Sequence, residues 1–195
     1  MGKVGHLFFP ILVLTVFLNL FDSFFWTVGP LLAESFSSSR QFAGFFMTAY
    51  SLPTLLIGWF VGSVTLRFGK KRTAFFSFLL GSLALSTLVL ANNFWLLLVI
   101  VFVASSLSAM AWPAINGVYT DYISEAHKLE KEIEGLSDMA ANLGYIIGPV
   151  LAGFLADRVG NAGTFSVLGL VGVIIALVLI KFTPKQITIP QSIVK

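Results

Sequence analysis

Apolar residues run along the chain in six blocks, near 7–32, 42–66, 73–91, 95–119, 136–156 and 163–182, each set off from the next by charged or turn-forming residues. About 20 apolar residues in an α-helix match the hydrocarbon core of a bilayer. The pattern therefore predicts an all-α membrane protein with six transmembrane helices. Two connections are very short, Asn92-Asn93 after the third block and Asn161-Ala162 after the fifth. That leaves no room for a soluble domain, and a single six-helix bundle over residues 1–195 is expected. The first block is longer than a signal-peptide core and has no small-residue cleavage site, so it reads as a retained span.

Polar residues are spread unevenly over the blocks. The third and sixth hold nothing more polar than Ser and Thr before their ends and suit a lipid-facing position. The second and fifth carry small residues at helical spacing, Gly58 and Gly62 in one and Ala140, Gly144, Gly148, Ala152 and Gly153 in the other. Small residues four apart leave a smooth stripe that another helix can approach closely. In the first block (FLNLFDSFFWTVGP), Asn19, Asp22, Ser23 and Trp26 fall on one helical face. The fourth (ASSLSAMAWPAINGVYTDY) places Ser105, Ser108, Trp112, Asn116 and Tyr119 on a comparable stripe, with Pro113 predicted to bend the helix. The order is polar, glycine-striped, apolar, and then the same again.

A turn recurs in the same order. Gly62 to Arg72 (GSVTLRFGKKR) and Gly153 to Gly163 (GFLADRVGNAG) share a G-x-x-x-x-R-x-G pattern, at the end of the second and the fifth block. If blocks one to three and four to six are homologous, their odd number turns the second triplet upside down. The expected fold is thus a 3+3 inverted repeat, residues 1–92 and 93–195, as in secondary transporters.

Composition agrees with a lipid environment: 57% of residues are hydrophobic, 11% are charged, and mean hydropathy is +0.92. Cysteine is absent, which removes disulfides and thiolate chemistry. The net charge of +3 speaks to orientation and not to nucleic acid. Ten of the 12 Lys and Arg residues fall on one side of the six-span topology: Lys3, the Arg67–Arg72 cluster, Lys128 and Lys131, and Lys181, Lys185 and Lys195. Only Arg40 and Arg158 fall on the other. The positive-inside rule then puts both termini in the cytoplasm of a multi-pass cell-membrane protein. The charged stretch 121–134 (DYISEAHKLEKEIE) fits a short helix on that surface, with His127 solvated.

Asp22 stands out chemically. A carboxylate at membrane depth costs about 2.5–3.5 kcal/mol on insertion scales and must face protein or a wet cavity. It is either a proton carrier or a buried hydrogen-bonding group. Trp26 and Trp112 serve as interfacial anchors or as cavity walls, and Asn19 and Asn116 as polar links between helices or as solute contacts. No nucleophile elbow, metalloprotease pair or phosphate loop is present, which counts against an intramembrane protease. No cofactor or metal site is expected.

On these residues the chain resembles half of a major facilitator superfamily transporter. Gly62, Arg67, Gly69, Lys70, Lys71 and Arg72 are similar to the family's loop after the second helix of a half. Leu66 stands where the family places an acid, so a charge-relay role for this turn is not implied. Ala140, Gly144, Gly148, Pro149, Ala152 and Gly153 resemble the glycine-proline run of the fifth helix, which proton-coupled exporters associate with antiport. The absence of a basic residue in the fourth block resembles the C-terminal half, helices seven to twelve. The resemblance implies that the first and fourth helices line a central cavity, the second and fifth meet the other half, and the third and sixth face lipid. It also implies proton-coupled export or exchange of a small organic solute by alternating access. The open alternatives are uptake of a sugar or carboxylate, or a transport-inactive subunit. Six helices supply one bundle, so a second six-helix half is expected, as a separate chain or as a homodimer.

Overall fold

The computed structural model describes residues 2–36 and 39–182. Lys185 and Lys195, counted above for orientation, lie outside them. Among the described residues the regular structure is helical: α1 (Gly2–Glu34), α2 (Arg40–Phe68), α3 (Lys70–Ser86), α4 (Phe94–Glu125) and α5 (Glu130–Phe182), with short 3-10 turns at Leu88–Leu90 and His127–Leu129. All five long helices are apolar and long enough to cross a membrane.

At 53 residues, α5 is about 80 Å long if straight, roughly twice what a bilayer needs. It is interrupted at Gly160, where φ is 74° and ψ 167°. Both of its arms pack on the same part of α1. A Cβ on Gly148 would meet Ser23, and one on Gly172, in the other arm, would meet Phe21. A straight helix would hold those glycines about 36 Å apart, so the chain doubles back at Gly160.

The turn between α2 and α3 has the same build. Gly69 (φ 87°, ψ 139°) joins α2 to α3, and Gly69 and Gly160 are the positive-φ glycines among the described residues. Glycine alone adopts such angles without cost, because it has no Cβ. The same offset separates these two residues as separates Gly62 from Gly153. Each turn is also tied in the same way. Thr73 donates to the Gly69 carbonyl and Thr164 to the Gly160 carbonyl, both at 2.9 Å.

Between α3 and α4 the Asn93 side chain caps α4, accepting from Leu96 N at 2.8 Å. The charged stretch 121–134 does not form a separate surface helix. Its first part finishes α4, and its last part opens α5, where Glu130 and Glu132 occupy the first turn. Acids are favourable there because they face the positive end of the helix dipole.

The centre of the bundle is α1. Phe8, Ile11, Leu14, Leu18, Phe21, Phe25, Val28 and Leu32 follow a three-four spacing and are all buried. In lipid such burial gains little from the hydrophobic effect, so close backbone approach and van der Waals contact hold the helices together. That approach is tightest where α3 meets the second arm of α5. A Cβ on Gly169 would lie 2.4 Å from Ser86 N and 2.7 Å from the Ser82 carbonyl. The two segments whose composition reads as purely lipid-facing therefore pack on each other, while Phe76 and Leu80 on one, and Leu170 and Ile174 on the other, stay exposed. By contrast α2 is barely enclosed: 17% of its apolar window is buried, against 67% of that of α1.

Candidate functional site

A cavity of about 240 Å³ opens between α1, α2, α4 and α5. Asp22 comes from α1, Tyr50, Thr54 and Gly58 from α2, Ser108 and Trp112 from α4, and Tyr145 from α5. Pro113 also lies on its wall, where proline removes a backbone donor from the α4 ladder. An ionisable carboxyl thus sits among hydroxyls and aromatic rings in a site walled by four helices.

Both oxygens of the Asp22 carboxyl are engaged. The Tyr50 hydroxyl donates to Oδ1 and the Tyr145 hydroxyl to Oδ2. The partners are neutral, so the site holds its acid by hydrogen bonds and not by an ion pair. Tyr50 is itself fixed by stacking on the buried Phe25, with ring centroids 4.4 Å apart at 22°. Phe25 in turn packs on Phe165 of the second α5 arm at 5.0 Å. Neither tyrosine belongs to the polar stripes read from the sequence. The signal that could have found them is chemical: a mid-span tyrosine needs a partner for its O–H, and a mid-span carboxyl needs donors.

The other residues singled out from the sequence divide into groups. Asn19 and Ser23 are buried against the glycine face of α5 and do not line the cavity. Asn19 donates from Nδ2 to the Thr15 carbonyl at 2.8 Å, while its Oδ1 has no partner among the described residues. Trp26 is 61% exposed; it stands close to Asp22 without forming part of the cavity wall. Asn116 and Tyr119 line a second cavity of about 280 Å³ with Glu134, Ser137 and Asp138, between α4 and the start of α5. The Tyr119 hydroxyl is bonded to Thr15 Oγ1 at 2.9 Å, linking α4 to α1.

Of the loop residues, Lys70 reaches the end of α4, 2.5 Å from Asp121 Oδ1 and 3.4 Å from the Gly117 carbonyl. Arg67 lies over the Phe68 ring at 5.6 Å from its centre, while Lys71 and Arg72 continue into the first turn of α3. Gly62 has nothing within 4 Å of where a Cβ would stand. In the glycine-proline run, Gly144 and Gly148 press on α1 and Gly153 faces open space, with Pro149 inside the helix between them.

A bundle of long apolar helices around an acid-bearing cavity defines an integral membrane protein. The sequence profile of the Major Facilitator Superfamily matches residues 11–192, and the chain belongs to that family of transporters. It is 28% identical over 148 residues to the quinolone resistance protein NorA of Staphylococcus aureus strain Mu50, a match over 74% of this chain and 37% of NorA. It is 29% identical over 126 residues to an uncharacterized MFS-type transporter, YfiS of Bacillus subtilis strain 168, over 61% of this chain and 30% of YfiS. The matched stretch spans well under half the length of either relative.

Proposed function

We propose that the chain forms one half of a proton-coupled secondary transporter of the cell membrane, which exports or exchanges a small organic solute by alternating access. The observation that carries this reading is Asp22, a hydrogen-bonded carboxyl in the cavity between four membrane-spanning helices. Low dielectric disfavours the charged form of such a group, and access to a wet cavity lets it exchange a proton. A site that takes up a proton when open to one side and releases it when open to the other is the minimum machinery for coupling. Export is favoured over uptake by the likeness to a quinolone resistance protein.

The reading takes the break at Gly160 as the point between a fifth and a sixth crossing, which gives six crossings as repeats 1–92 and 93–195. The matched turns support it: Gly69 with Thr73, and Gly160 with Thr164, at one offset and with one bond pattern. A single bundle cannot rock against itself, so a second six-helix bundle completes the transporter, with this chain resembling helices seven to twelve. Termini in the cytoplasm follow from the placement of Lys and Arg.

The test is transport of a quinolone by the full chain in proteoliposomes, reconstituted densely enough for copies to meet. A pH gradient should drive accumulation above empty vesicles, and a protonophore should abolish it. Accumulation that ignores the gradient contradicts the coupling. Orientation is read separately in cells, where a thiol at Asn92→Cys should react with an impermeant reagent from outside and one at Lys71→Cys should not. The opposite labelling overturns the topology.

A further inference from the structure

We propose that Tyr50 and Tyr145 are positioning residues for the coupling reaction, a two-armed clasp that converts the proton occupancy of Asp22 into a change in contact between α1 and α5. The inference rests on the reading above in which Asp22 carries the coupled proton. Its basis is the geometry of the carboxyl: one hydroxyl donates to each oxygen, one from α2 and the other from α5.

An ionised carboxylate is acceptor-only and can hold both O–H groups at once, whereas a protonated carboxyl has one oxygen that has become a donor. A proton arriving from the cavity and bonding to one oxygen makes that oxygen a donor and a weaker acceptor, so the tyrosine hydroxyl facing it loosens or reverses its bond. Hydronium in the cavity water gives up the proton, its O–H bond breaking as the carboxyl O–H forms, and no other covalent bond changes. The groups facing the carboxyl are few. On its own helix stands the Trp26 indole. Across the cavity α4 presents Ser105, Ser108 and Trp112, so the titratable groups that face Asp22 from α2 and α5 are the two tyrosines themselves.

The two arms are not equivalent. Tyr50 is locked by its stack on Phe25, itself buried. Tyr145 is 44% exposed and has no ring partner among the described residues. Its helix also meets α1 through glycines: Gly144 lies on the Val16 carbonyl and Asn19, and Gly148 lies on Ser23. On the α5 side this contact is glycine without a side chain, so it is the α1 groups Asn19 and Ser23 that slide along it when one helix shifts on the other. Tyr145 is thus the arm that lets go, and Tyr50 the arm that keeps Asp22 in place.

The chain has no cysteine, so a pair of spin labels can be introduced cleanly at Phe9→Cys and Met139→Cys. These exposed residues border the groove between α1 and α5. Distances between the labels would be measured on the full chain in liposomes from pH 5 to pH 9. In the parent, acidification should move the distribution to a second population. Asp22→Asn and Tyr145→Phe should each hold one distribution over the whole range, with the pH dependence lost, while Tyr50→Phe should keep a transition. If Tyr145→Phe titrates as the parent does while Asp22→Asn does not, the clasp is wrong and the proton site stands. If Asp22→Asn also titrates like the parent, the proton site itself is wrong. A parent that shows no pH dependence overturns the clasp as well.

Discussion

Two glycine stripes read alike in the sequence and behave differently in the structure. On α5, Gly144 and Gly148 lie so close to α1 that an added Cβ would stand 2.6 Å from the Val16 carbonyl oxygen and 2.3 Å from Ser23 Oγ. On α2, Gly58 and Gly62 have nothing within 4 Å. The first stripe holds the chain's own bundle together. The second borders the open cavity at Gly58 and continues onto a helix whose Trp59, Phe60 and Leu66 are all exposed. Small residues four apart record that something comes close, but not whether the neighbour belongs to the same chain.

The largest expected effect follows from the closed stripe. Gly148→Leu must push Ser23 and the α1 backbone away, and overpacking of this kind costs about 3 kcal/mol or more where the neighbour cannot yield. The variant should lose its monodisperse peak in detergent and its thermal transition. A Gly148→Leu protein as stable as the parent contradicts the α1–α5 contact. On the open stripe, Gly62→Leu should leave the stability of the isolated chain within about 0.5 kcal/mol, as surface changes usually do. It should nevertheless lose transport and copy-to-copy cross-linking if a second bundle docks there. Full transport by Gly62→Leu assigns that stripe to lipid.

Smaller effects separate the bonds around the second cavity from the loop contacts. Tyr119→Phe removes the buried bond to Thr15 and should cost about 1 kcal/mol in thermal stability. Lys70→Ala removes a half-exposed ion pair with Asp121 and should cost about 0.5 kcal/mol or less, fading further at high salt. If Lys70→Ala costs more than Tyr119→Phe, the turn between α2 and α3 contributes more to the bundle than its exposure implies.

Much of this was legible because lipid makes strong demands on sequence. Length and apolarity marked the helical stretches, although the fifth and sixth blocks join in the single element α5, and the repeated G-x-x-x-x-R-x-G turn marked the glycines at 69 and 160. The pairing of α3 with the second arm of α5 was hidden, since Gly169 makes its contact by having no side chain, and the flanking residues are as apolar as lipid itself. At the site, the cost of a charge in the membrane singled out Asp22. Its partners could not be read, because Tyr50 and Tyr145 lie 28 and 123 residues away in sequence and helical periodicity says nothing about which faces meet. Asn19 and Ser23 share the face of Asp22 on a helical wheel, yet the arrival of α5 turns that part of the face into packing surface.

The central claim is that Asp22 carries the coupled proton, and Asp22→Asn tests it most directly, since it keeps the shape of the carboxyl and removes its titration. In proteoliposomes with an imposed pH gradient, the variant should exchange a labelled quinolone across the membrane but fail to accumulate it. Accumulation by Asp22→Asn to the level of the parent would contradict the account and leave Asp22 as a hydrogen-bonding link between α1, α2 and α5.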